Sequence, residues 1–483
     1  MFQGTGSDVG KSVLVAGLCR ALKRRGKSIL PFKPQNMSNN AAIAEDGTEI
    51  GRAQALQALA CGVKPRTDMN PVLLKPQSDI GAQLIVNGEV KGNYDARAYQ
   101  AHKPTLMPEV TAAFNRLRAE ADIVLVEGAG SASEVNLRDG DIANMGFATA
   151  TQTPVILIGD IDRGGVIASI AGTHALLPDD EKRLLKGYLI NKFRGDVSLF
   201  ENAIDILQQR TDLPCFGIVP HLAEARALPA EDSVALERPI KNTADGAINI
   251  AVPQLLHIAN FDDLDPLLAE PDVSVVMVPP GSPLPGDTDL IILPGTKATI
   301  PALNHFRDQG WDIDLEAHIR RGGKVLGICG GYQMLGNSID DPDGTEGTAG
   351  KATALGHLDV DTTIAAPKTL TDVTGTALNS LGAVSGFEMH MGKTTGADTA
   401  RPFLDLDGRP DGAISVSGQI IGCYVHGLFA SDGFRHAFLD RLLAREPGLN
   451  NYDASIQETL DAIADHLENA LDIDGLLELA ASA

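Results

Sequence analysis

The sequence predicts an α/β fold arranged as two successive domains, and three observations carry that prediction. Short apolar, β-prone runs alternate with helix-patterned stretches twice along the chain, before and after an aperiodic stretch at 221–247. A glycine-rich loop ending in Lys-Ser precedes the first helix pattern, and a cysteine flanked by glycines marks a sharp strand-to-helix turn in the second half.

In chain order, Met1–Gln3 reads as a short, truncated strand stub whose natural start lies upstream. It leads into Gly4-Thr5-Gly6-Ser7-Asp8-Val9-Gly10-Lys11-Ser12 and a helix over Val13–Arg25. Glycines let the loop backbone turn its N–H groups toward a triphosphate, Lys11 supplies a cation for the terminal phosphates, and Ser12 is a magnesium ligand. The spacing is one residue longer than the standard phosphate loop. Further strands are expected at Ser28–Phe32, Ile123–Val126, Pro154–Ile158, Gly187–Ile190 and Pro214–Val219, with a helix over Arg97–Ala121. Repeated βαβ units of this kind make a mostly parallel sheet covered on both faces. Glu127 ends one strand beside the phosphate loop, where a second magnesium contact belongs; Asp160 and Asp162 end another and are candidates for metal or substrate handling. Pro229, Pro239, Asn242 and Gly246 mark a connection, so the first domain is expected to span 1–240.

The second domain, 241–445, begins with strands at Ile248–Pro253, Val273–Val278, Leu290–Leu293 and Lys324–Ile328, with helices over Ala298–Gln309 and Asp314–Arg321. Short β-prone pieces from 356 to 425 suggest antiparallel strands completing it. Cys329 sits at the strand-to-helix turn: small neighbours Gly327 and Gly331 permit the elbow, the helix start favours thiolate, and the Gly330 N–H is an oxyanion donor. His426 ends a later β-prone run and is the expected base, with His390 as the rival. Gly295, after another strand, is the second oxyanion donor. A tail, 446–483, has apolar residues at helical intervals from Ile456 to Leu471 and a Ser455/Glu458 capping box, and is expected to pack as a helix on the second domain with a solvated acidic face.

With 40 Lys and Arg against 63 Asp and Glu, the 483-residue chain has a net charge of −23, which argues against a nucleic-acid partner. No run approaches the roughly 18–20 apolar residues of a membrane helix, so no membrane partner is expected. Five scattered cysteines without a CxxC pair suit the cytoplasm. Oligomeric state is not legible.

A phosphate-loop domain followed by a cysteine-elbow domain resembles the glutamine-dependent amidoligases. The segments Phe32–Asn40, Met69–Pro76, Asp160–Gly165 and Asn191–Asp196, with those around Cys329 and His426, resemble the cobyric acid synthase family from residue 4 to about 430. The resemblance implies an N-terminal dethiobiotin synthetase-like domain and a C-terminal class I glutaminase-like domain. It also implies amidation of four peripheral carboxylates of adenosylcobyrinic acid a,c-diamide, a corrinoid, with ATP, Mg²⁺ and glutamine. By similarity to dethiobiotin synthetase, Gly4, Thr5, Gly10, Lys11, Ser12, Lys33 and Asn191 form the nucleotide site, Asn191 reading adenine, and Ser12, Glu49 and Glu127 hold Mg²⁺. Related glutaminases carry Glu two residues after the catalytic His; here that position is Leu428, and Glu388 is the candidate to orient His426. The alternatives are a cobyrinic acid a,c-diamide synthase, which shares both domains, and an ATP-dependent switch whose second domain only binds.

Overall fold

The computed structural model describes residues 1–77, 81–229, 231, 248–445 and 450–482. The first domain is built on a six-stranded, all-parallel sheet in the order Cys215–Pro220, Leu185–Phe193, Val155–Asp160, Phe2–Gly4, Ile123–Ser131, Ile29–Phe32. Alternation along one central strand serves both faces: Val155 and Leu157 enter one core, Ile156 and Ile158 the other. A smaller four-stranded sheet, not expected from the sequence, inserts after the first helix and includes Val72–Pro76, Gly81–Val86 and Glu89–Asp95. The expected helix Arg97–Ala121 is broken into Ala96–His102, a 3₁₀ turn and Met107–Arg118. Pro104 and Pro108 each lack an amide hydrogen and cannot continue a helix through its interior.

The second domain has five parallel strands in the order Val273–Val278, Ile248–Pro253, Leu290–Leu293, Lys324–Ile328, Ile420–Cys423, with Ala413–Ile414 antiparallel at the edge. Between the fourth and fifth lies an accessory antiparallel sheet that includes Thr369–Ala377 and Gly382–His390. The expected boundary near 240 falls outside the described residues.

The tail corrects the sequence reading. Its helix, Tyr452–Ala470, packs against the first-domain helix Lys11–Arg24 rather than on the second domain. Ile456, Leu460, Ile463 and Leu467 share one core with Leu14, Val15 and Leu18, and Gly17 admits the close crossing: a Cβ there would stand 2.6 Å from both Ile463 and Leu467. The acidic face is not simply solvated, because Asp461 pairs with Arg20 and Asp465 with Arg24, each at 2.7 Å, while Arg25 holds Glu468 and Asp474. Nor is Ser455 the cap. The Asn451 side chain accepts from the Ala454 N–H at 2.8 Å, and the Ser455 hydroxyl donates to the Tyr452 carbonyl.

The two domains lock together through polar groups. Asn40 and Asn260 exchange contacts with the Phe261 and Ala41 backbone amides at 3.0 and 3.1 Å, and Arg52 pairs with Asp262. Ala41, Ile43 and Met389 form a small apolar cluster across the same boundary.

Candidate active site

Strand Lys324–Ile328 stops at Cys329, whose backbone is held at φ 52° and ψ −109°, and helix Gly330–Leu335 follows at once. That strained conformation is the elbow expected from the flanking glycines. A Cβ at Gly331 would fall 2.0 Å from the Leu293 carbonyl oxygen, so only glycine lets the turn sit this close to the neighbouring strand. The Cys329 thiol meets the His426 ring and lies 3.7 Å from the Met389 carbonyl oxygen. His426 is brought in by Val425–His426, which pairs antiparallel with Gly382–His390.

The orienting group is Asp263. One of its carboxylate oxygens lies 2.7 Å from His426 Nδ1, and the other accepts from the Gly427 N–H at 2.6 Å. Burial opposes the imidazolium, but the Asp263 carboxylate and Cys329 outweigh it and push His426 up to about 10. His426 therefore holds a proton at neutral pH, the state that pairs with a thiolate. Glu388 is not the orienting group: it pairs with Arg409 and lies 3.7 Å from His390. His390 stacks on Tyr424 with ring centres 3.7 Å apart and, although it lines the same cavity as Cys329, has Glu388 rather than Asp263 as its acid.

Gly330 is the first residue of its helix, where an amide has no intrahelical acceptor, and it adjoins Thr296. Gly295 touches the His426 ring; a Cβ there would stand 2.8 Å from Cε1. Both glycines thus flank the Cys329–His426 pair, Gly330 directly after the cysteine and Gly295 against the His426 ring.

In the first domain, Gly10 takes φ 90° at the start of helix Lys11–Arg24, and a Cβ at Gly4 would lie 2.6 Å from the Gly6 carbonyl oxygen. Thr5 donates through its backbone to the Ile158 carbonyl, tying the loop to the sheet at 3.0 Å. Lys11 reaches the Gly130 carbonyl at 3.0 Å, and burial lowers its pKa despite nearby Glu127. The Ser12 hydroxyl donates to Glu127 at 2.8 Å, Lys33 pairs with Glu127 at 2.9 Å, and Gln57 donates to the other Glu127 oxygen at 2.6 Å. Glu231, unread in the sequence, contacts both Ser12 and Lys33. Burial works against the charge on Lys33, yet the two carboxylates raise its pKa.

One expectation changes here. Glu49 does not join Ser12 and Glu127: it is buried between Lys75 and Lys368 on the side facing Cys329, and the two ammonium groups hold its pKa down against burial. The Asn191 amide donates to the Val9 carbonyl at 2.8 Å and so braces the phosphate loop. Asp160 and Asp162 pair with Lys192 at 2.9 Å and Arg194 at 2.7 Å, cations from the adjoining strand end.

The phosphate loop, Lys33 and Glu127 line one cavity of about 1420 Å³ that is also walled by Leu74, Tyr99, Arg138 and Asp265. Leu74 and Pro76 face this cavity while Lys75, between them on the same strand, faces the Cys329 cavity. The period of two in a strand thus places the two sites on opposite sides of one backbone layer.

Asp263 was hidden because it lies 163 residues before His426. The available signal was the run Asn260-Phe261-Asp262-Asp263, acidic groups in the loop after strand Ile248–Pro253, at the carboxyl edge of a parallel sheet where sites gather.

Residues 1–235 match the family described as the CobQ/CobB/MinD/ParA nucleotide binding domain, and residues 249–434 match the CobB/CobQ-like glutamine amidotransferase domain. The chain is 58% identical over 480 residues to a cobyric acid synthase of Methylorubrum populi, covering 99% of this chain and 98% of that one. It is 56% identical to one of Brucella suis, covering 99% of each, and 57% identical to one of Rhizobium meliloti, covering 98% and 97%. The cysteine elbow, the phosphate loop and similarity over nearly the whole length converge: the chain belongs to the cobyric acid synthase family, enzymes of glutamine-dependent amidation in cobalamin biosynthesis.

Proposed function

We propose that the chain converts four peripheral carboxylates of adenosylcobyrinic acid a,c-diamide to amides, giving adenosylcobyric acid, with ATP and glutamine as co-substrates. The observation that carries this is the 1420 Å³ cavity at the phosphate loop, room for a corrin alongside a nucleotide. Cys329 attacks the glutamine amide carbon, the Gly330 and Gly295 amides receive the oxyanion, and His426 gives its proton to the departing ammonia. Water then hydrolyses the thioester to glutamate.

In the first domain a corrin carboxylate oxygen takes the γ-phosphoryl group of ATP, releasing ADP. Ammonia attacks the resulting acyl carbon and phosphate leaves. Lys11 and the loop amides hold the phosphates, and Lys33 neutralises charge at the reacting carboxylate. Ser12, Glu127 and Glu231 place hard oxygen donors together and fit Mg²⁺, which typically uses one or two carboxylates plus substrate phosphates; bound there it would neutralise charge on the transferred group.

The test is a mass-spectrometric time course with adenosylcobyrinic acid a,c-diamide, ATP, Mg²⁺ and glutamine. Four successive shifts of about one mass unit each support the reading. No shift while glutamine is hydrolysed overturns the substrate, and an early stop after fewer amides overturns the stated product.

A further inference from the structure

The cavity beside Cys329 and His426 is charged. Lys75 from the first domain, with Lys297, Lys368 and Glu346 from the second, line it, and Glu49 closes the group by pairing with Lys75 and Lys368. Two of the three lysines are thereby satisfied. Lys297 is not: it is 8% exposed, and among the described residues its ammonium makes no hydrogen bond or ion pair. Three lysines against two carboxylates leave one cation in excess in a buried space, and burying an unpaired ammonium costs several kcal/mol. Burial, with repulsion from Lys368 and Lys75, pushes Lys297 down to about 8, which still leaves it charged at neutral pH. Lys297 is therefore a buried cation whose charge no bonded carboxylate meets.

Glu346 is the complementary group. One of its oxygens accepts from the Thr299 N–H at 2.9 Å, and burial raises its pKa against the pull of Lys297. A ligand that brings both a carboxylate and an ammonium to this spot, and an uncharged amide to Cys329, gives Lys297 and Glu346 each a partner of opposite charge.

We propose that Lys297 and Glu346 form the subsite for the α-amino-acid head of glutamine, Lys297 holding the α-carboxylate and Glu346 the α-ammonium; this rests on Cys329 being the nucleophile. Lys297 follows Gly295 by two residues, so the loop that places an oxyanion donor also carries the anchor. The cavity is narrow, about 30 Å³, so glutamine seats with movement of its lining side chains.

The experiment measures alkylation of Cys329 by iodoacetamide, read by peptide mass spectrometry, against increasing glutamine, 4-aminobutanamide (no α-carboxylate) or glutaramate (no α-amino group). Wild-type protein should need at least about tenfold less glutamine than either analogue for half protection. In K297M the difference between glutamine and 4-aminobutanamide should collapse while K297R keeps most of it; in E346Q the difference from glutaramate should collapse. Ammonia-supported amidation on the same preparations is the reference for folded protein. Unchanged ratios in K297M and E346Q overturn the head-group assignment. Glutamine-supported turnover that persists after complete Cys329 alkylation overturns instead the nucleophile on which it rests.

Discussion

At the scale of single residues, the glutaminase chemistry proposed for the second domain turns on a proton held on His426 by Asp263. Removing the carboxylate removes the group that outweighs burial, so Asp263→Asn should lower the His426 pKa from about 10 toward the ordinary histidine range. Because His426 acts protonated, activity is retained below its pKa and lost as pH rises through it. The alkaline limb of glutamine hydrolysis should therefore move to lower pH in D263N, with a loss in kcat of roughly 10²–10⁴. An unmoved limb would deny Asp263 its role. Cys329 and His426 were legible because a strand, a sharp turn and a strand end leave local marks. Asp263 was not, since contact across 163 residues leaves no spacing to read. Glu49 was misassigned for the converse reason: a carboxylate in a likely-looking segment says nothing about which of two sites it faces, and two lysines decided it.

At the scale of elements, periodicity revealed the existence of the parallel strands and of the last helix, but not what that helix covers. An amphipathic pattern specifies an apolar stripe and leaves its partner open. Helix Tyr452–Ala470 found helix Lys11–Arg24, where a glycine permits close crossing and three arginines meet its carboxylates. The exposed ion pairs contribute about 0–1 kcal/mol each, so the apolar seam carries most of the attachment. Leu460→Ala, at a fully buried position, should cost about 2–5 kcal/mol and lower the unfolding midpoint of the first domain in urea. A midpoint loss confined to the glutaminase domain would contradict this packing. The inserted strands between 35 and 95 escaped notice because they are short and carry Gly, Asn and charged residues that blur alternation.

At the scale of the whole molecule, the first domain grips the segment that carries Asp263. Arg52 pairs with Asp262 and sits 5.6 Å from the Phe387 ring centre, and Phe387 stacks on His426 at 5.4 Å. Arg52→Met should lower glutamine-supported turnover about 2- to 30-fold, relative to ammonia-supported turnover on the same preparation, although Arg52 does not line the Cys329 cavity. Equal losses with both nitrogen sources would place the effect in the first domain alone. Sequence order conceals such grips, as it concealed the tail returning to the first helix. That return has a consequence for biosynthesis on the ribosome. The stripe Leu14, Val15 and Leu18 is made early, but the helix that covers it emerges roughly 430 residues later, on the order of tens of seconds at ordinary translation rates. Throughout that interval the nascent first domain carries an open apolar groove, a surface for chaperones to shield until the last helix arrives.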